Sequence, residues 1–189
     1  MRHSLRAAAL LTALVAGCKA EAPTAPTASP ETATAAASQA DAKFAELSKR
    51  WLEGWLPLNP VAATQIGDHR FDAELDDVSA AGRQRALDFS KTLLAELDAI
   101  DAKTLSRENQ VDALILRNQL RGDIWSIETL QAWAWDPQGY SGLAGSAIYN
   151  LMAREFAPLP ERLTSATARM EKLPAMLAQM RTEIVPARV

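Results

Sequence analysis

SRENQVDALILRNQLRGDIWSI, residues 106–127, carries two apolar stripes, and their spacing decides the fold class. Leu116, Leu120, Ile124 and Ile127 recur every three or four residues; Val111, Leu114, Ile115 and Trp125 form a second stripe beside them. That period belongs to an α-helix and excludes the alternation of a half-buried strand. Ser106 stands where a capping hydroxyl is expected. A helix wet on only a narrow strip predicts a central place in the packing.

The flanking sequence repeats the pattern. Ser38 to Asp41 has the spacing of a capping box with aspartate as its acid, and beyond it Phe44, Leu47, Trp51, Leu52 and Trp55 keep a helical period until Pro57 stops the run. Asn59-Pro60 starts a short second helix, with asparagine as cap and proline at the first position, and Gly67 is suited to end it in a left-handed conformation. A third helix begins near Ser79 and sets Ala86, Phe89, Leu93, Leu97 and Ile100 on one face. After the fourth, Trp133 to Gly145 reads as a glycine- and aromatic-rich loop. A fifth helix carries Ile148, Leu151, Met152 and Phe156; Pro158 and Pro160 separate it from a sixth with Leu163, Met170 and Leu173, and Pro174 opens a seventh. No window alternates with period two for long enough to make a strand. The expectation is an all-α, irregular multi-helix bundle over residues 41–189.

The amino terminus has a different purpose. Arg2 and Arg6 precede an apolar run from Ala7 to Val15, too short to span a bilayer core, and small residues lead to Cys18, the only cysteine. Val15-Ala16-Gly17-Cys18 matches a bacterial lipobox, which makes residues 1–17 a signal peptide and Cys18 the lipidated anchor to a membrane. Residues 18–40 are rich in Ala, Thr and Pro and have little to bury, the composition of a disordered tether. Lys19, where aspartate would signal inner-membrane retention, points to the outer membrane facing the periplasm. Export removes two of the 20 basic residues and leaves 23 acidic ones, a net charge of about −5 with no basic stripe, so nucleic acid is not an expected partner.

Catalytic chemistry finds few residues to work with. Once His3 leaves with the leader, His69 is the single histidine, and with Cys18 lipidated no thiolate remains for a metal. A zinc peptidase helix needs two histidines one turn apart and a general base. Gly139-Tyr140-Ser141-Gly142-Leu143 misses the last position of a serine hydrolase elbow. Trp51 and Trp55 fit the core; Trp125, Trp133 and Trp135 fit the core or its rim, with a sugar- or peptide-stacking shelf as the alternative.

The run Asn59-Pro60-Val61-Ala62-Ala63-Thr64-Gln65-Ile66-Gly67-Asp68-His69-Arg70-Phe71-Asp72 carries a resemblance. With Ile100-Asp101, the Ser106 to Asn109 opening and the helix-proline-helix at Lys172-Leu173-Pro174, it resembles the start of the bacterial family known as domain of unknown function 885, from about Phe44 to Val189. The resemblance implies a longer, mostly helical envelope lipoprotein similar to zinc metallopeptidases, with a His-Glu-x-x-Pro-Gly-His motif in its carboxyl-terminal half. No residue of that motif lies in this chain, so no catalytic residue, metal ligand or cofactor is assigned to any position, and zinc belongs to a longer product. The final Val185-Pro186-Ala187-Arg188-Val189, neither cap nor polar tail, reads as an interruption of such a polypeptide. Two roles stand open for Asp68, His69 and Arg70: contact with a peptide substrate in a cleft, or a local pairing that fixes the turn after Gly67. The function implied is the tethered amino-terminal segment of a peptidase-like lipoprotein; the alternative is a non-catalytic helical lipoprotein that binds or scaffolds in the envelope.

Overall fold

The structure, a computed structural model, describes residues 30–189, with side chains from Gln39 onward. Cys18, the leader and residues 18–29 of the expected tether lie outside the described residues. Six α-helices follow one another: α1 (Pro30–Leu58), α2 (Pro60–Ile66), α3 (Ala80–Asp98), α4 (Arg107–Trp125), α5 (Pro137–Met152) and α6 (Leu159–Glu183). Among the described residues there is no strand, and the all-α expectation holds.

Helices α1, α3 and α4 enclose one core of Phe44, Leu47, Leu93, Leu97, Leu105, Ala113, Leu116 and Leu120, with Trp51, Phe89 and Ile100 at its edge. Helices α2, α5 and α6 form a second group, α5 lying along α6 and α2 across α5, and bury Val61, Ala63, Ala147, Leu151 and Ala166. The α1–α2 turn joins the groups. So does the mostly buried Arg83–Glu183 ion pair between α3 and α6, and Val185 N–H donates to Ala134 C=O (2.8 Å).

Several boundaries differ from the sequence expectation. Helix α1 starts at Pro30, inside the stretch expected to be a tether. Proline costs nothing in a first turn and the alanines that follow have the highest helix propensity, which outweighs the cap signal at Ser38. Asp41 is therefore inside a helix, and it caps another: its Oδ1 accepts from Ser106 N–H (2.9 Å) and Asn109 Nδ2 (2.7 Å), while Ser106 Oγ accepts from Asn109 N–H (3.3 Å). Asn59 is not the side-chain cap of α2. Its Nδ2 donates back to Trp55 C=O (2.9 Å) at the end of α1, which runs one residue past Pro57, and Val61 N–H at the start of α2 finds Asp76 Oδ2 (3.1 Å) instead. Helix α3 begins beside Ser79 as expected, and Ser79 Oγ caps it by accepting from Gly82 N–H (3.1 Å).

The supposed loop from Trp133 to Gly145 is half helix. Asp136 accepts from Gln138 N–H (2.9 Å), Pro137 occupies the first position, and Gly139, Gly142 and Gly145 lie within α5. Three glycines lower helix propensity, but a good cap and the packing of α5 on α6 override it. Phe156 lies beyond α5, and the sixth and seventh helices are one, Pro174 falling inside α6. The fourth helix is not central. Leu116 and Leu120 are buried, yet Val111, Leu114, Ile115 and Trp125 are 42 %, 56 %, 61 % and 53 % exposed, because among the described α-helices α1 and α3 are the ones packed against it.

Two glycines make opposite predictions. A Cβ on Gly54 would stand 2.3 Å from Phe89 Cε2, whereas one on Gly142 meets nothing within 4 Å. Gly54→Ala should lower the unfolding free energy by about 1–3 kcal/mol through overpacking, and Gly142→Ala should raise it by about 0.5–1 kcal/mol by limiting the unfolded chain. Urea melts of the two variants check both signs.

Candidate functional site: the loop after Gly67

Gly67 sits at φ 95°, ψ 12°, the left-handed region that a side chain disfavours. Its N–H donates to Thr64 C=O (3.2 Å) and Asp68 N–H to Ala63 C=O (2.9 Å), the paired bonds of a Schellman ending. The chain then turns once through His69–Phe71. Asp68 Oδ1 caps that turn by accepting from Arg70 N–H (3.1 Å), and the Arg70 guanidinium returns to the same carboxylate through Nε (3.0 Å) and Nη2 (2.7 Å). Arg70 Nη1 also donates to Glu53 of α1 (2.8 Å). The bonds from Arg70 hold the Asp68 carboxyl below its usual range and push the guanidinium pKa up. The pair is surface-exposed, so its contribution to stability is modest.

His69 turns the other way. Its ring stacks on Phe156 (centroids 3.6 Å apart, planes 11° apart), and Nδ1 meets Asp72 Oδ2 at 2.9 Å. Asp72 is buried, and its other oxygen accepts from Thr64 Oγ1 (2.6 Å). Behind Thr64 lies Arg169 of α6, 0 % exposed. Its guanidinium donates to Thr64 Oγ1 (2.7 Å) and to the carbonyls of Pro60 (3.1 Å), Phe71 (3.3 Å), Glu74 (2.9 Å) and Ala147 (2.8 Å). One side chain thus holds α2, the loop, the segment leading to α3, and α5. Burial lowers the Arg169 pKa, with the nearby carboxylates of Asp72, Asp76 and Glu74 opposing that shift.

The loop opens onto a shallow groove of about 640 Å³ lined by Leu52, Leu56, Ile66, Gly67, Asp68, His69 and Arg70. The sequence-predicted trio is therefore together, with Asp68 paired to Arg70 and His69 facing a separate buried carboxylate. Thr64, Asp72 and Arg169 were not singled out by sequence reasoning. A signal existed on α6: Arg162, Ala166, Arg169, Leu173 and Met176 keep a helical phase, and two arginines interrupt an otherwise apolar face. Arg162 is likewise buried, and it donates to Ala157 C=O (2.9 Å) in the α5–α6 connection and to Met152 C=O (3.2 Å) at the end of α5.

The described residues do not fit zinc on their own. His69 is their one imidazole, its Nδ1 is taken by Asp72, and no group of three or more His, Cys, Asp or Glu side chains among them is placed to hold a metal. No step is drawn through one.

A family model described as a bacterial protein of unknown function (DUF885) matches residues 60–188. Among solved structures, "a putative lipoprotein of unknown function" from Shewanella oneidensis is 34% identical, with a TM-score of 0.70. The match covers 75% of this chain and 26% of that one, so this chain spans well under half the length of its relative. No curated protein matches.

The two arginines that hold the loop should separate sharply on substitution. Arg169→Met takes the guanidinium away from four backbone carbonyls, two of them in buried bonds, and should cost on the order of 3–5 kcal/mol, whereas Arg70→Ala should cost less than about 1 kcal/mol; urea unfolding measures both. Because the Asp68 pKa is lowered in the fold, its stabilisation is present above the unfolded-state pKa and lost as pH falls through the folded value. The Arg70 amide resonance, reporting its bond to Asp68, should accordingly move only below the ordinary carboxylate range.

Proposed function

The chain belongs to the DUF885 family of bacterial proteins of unknown function, and from that premise we propose that it is the membrane-tethered, amino-terminal wall of a larger helical envelope lipoprotein that acts on peptides. The observation that carries this reading is the uncovered apolar face of α4, in a chain that matches only 26% of its solved relative. Ile115 lines a groove with Phe44, Trp51, Leu52 and Leu116, while Val111 and Leu114 stand exposed on the same helix, and an exposed apolar surface of that kind asks for a partner. Further helices of the longer product cover it.

In this reading the signal peptide, residues 1–17, directs export, and lipidated Cys18 anchors the body to the outer membrane facing the periplasm. The description of the relative as a lipoprotein supports an envelope address. No helix among the described residues is long and apolar enough to cross a membrane. The groove beside Asp68, His69 and Arg70 contributes to peptide binding, while zinc, its histidine ligands and the general base come from polypeptide outside this chain. The alternative, a non-catalytic binding or scaffolding lipoprotein, draws on the closed pairing of Arg70 with Asp68 and Glu53, which suits a structural loop.

The coding sequence past Val189 separates the two. The peptidase-like reading expects it to continue in frame through His-Glu-x-x-Pro-Gly-His, and the purified long product to hold one zinc per chain and cleave peptides in a chelator-sensitive way. A stop codon directly after Val189, or a long product that binds no zinc, contradicts it and leaves the scaffold reading.

A further inference from the structure

Asp68, Arg70 and Glu53 satisfy one another, so the charges at the groove rim are spent. His69 is different. An ionised carboxylate only accepts, so the 2.9 Å contact with Asp72 Oδ2 makes Nδ1 the protonated nitrogen, and in a neutral imidazole Nε2 is then a bare acceptor. Asp72 is fixed in turn by Thr64, and Thr64 by the buried Arg169, while Phe156 fixes the plane of the ring. No hydrogen bond to Nε2 occurs among the described residues. The ring keeps about a third of its side-chain surface, 34%, open beside Leu52, Leu56 and the 63 % exposed Ile66. An oriented acceptor at the edge of aliphatic side chains, with neighbouring charges neutralised, has a definite chemical preference.

The geometry points to a binding site for an uncharged, aliphatic hydrogen-bond donor, with His69 Nε2 as the acceptor and the backbone N–H of an aliphatic peptide residue as the group bound. Asp72, Thr64 and Arg169 are positioning residues: they hold the tautomer and touch no ligand. A ligand that also carries a free carboxylate is disfavoured, because Arg70 already serves two carboxylates and the added negative charge would lie beside Asp68 and Asp72. The peptide class rests on the function proposed above; the tautomer and the acceptor role do not.

Nitrogen-15 NMR of the full chain tests the site without any substitution. At a pH where the imidazole is neutral, Nδ1 is expected to be protonated and Nε2 not. N-acetyl-leucine methylamide should shift the Nε2 resonance, and the carboxylate N-acetyl-leucine should bind at least tenfold more weakly. His69→Phe keeps the stack on Phe156 and should lose amide binding at least tenfold. Ile66→Asp, outside the relay, should weaken it similarly while the tautomer stays. A wild-type Nε2–H tautomer overturns the inference, and so does an amide that leaves Nε2 unmoved up to its solubility. Neither outcome bears on zinc content or peptide cleavage by the longer product, which test the preceding proposal.

Discussion

Arg169 is the constraint around which the second helical group is arranged. A guanidinium cannot shed its proton inside a protein, so burying it requires acceptors on every side. Here four backbone carbonyls and the Thr64 hydroxyl meet it, drawn from α2, the loop, the segment after the loop, and α5. Each acceptor fixes the position of the segment that carries it. The loop keeps its shape because Phe71 C=O and, through Thr64, Asp72 are held from within, while its exposed salt bridges contribute little.

The same device recurs more weakly elsewhere. Asp41 of α1 caps α4, Asp76 caps α2 from beyond the loop, and Arg162 of α6 covers carbonyls at the end of α5. Helix termini leave orphan donors and acceptors, and in this chain they are often met by side chains distant in sequence. Burial pushes the Asp76 carboxyl up, while the Asn109 bond holds Asp41 down. The caps therefore differ in their response to acid: Asp41 loses its contribution as pH falls through its lowered value, whereas Asp76 is penalised as pH rises through its raised one.

This explains what was legible in sequence. The helical period, the Gly67 ending, the helix start near Ser79, the Ser106 cap and the prominence of Asp68-His69-Arg70 are local, and local pattern displays them. Asn59 as a cap and Asp41 as the acid of a capping box misled because each suggested a bond at its own helix start, yet its partner was chosen by tertiary packing. The glycines of α5 suggested a loop because propensity is a weak prior against a good cap and a packed face. The double stripe of α4 was real as a pattern, but pattern alone does not say whether a second covering surface is within the chain. Arg169 was hardest: nothing in a one-dimensional reading distinguishes a buried arginine from a solvated one, except its phase among Ala166, Leu173 and Met176.

Fold and loop together describe a helical body that presents an imidazole fixed between Phe156 and Asp72 and an exposed apolar face on α4. The account stands on Arg169 being sealed and fully bonded in solution. Solvent exchange of its Nε–H, followed by nitrogen-15 NMR, reads this directly. Exchange as slow as that of the core amides of α6, and far slower than that of Arg70, is the predicted result; exchange at the rate of an exposed arginine would contradict it.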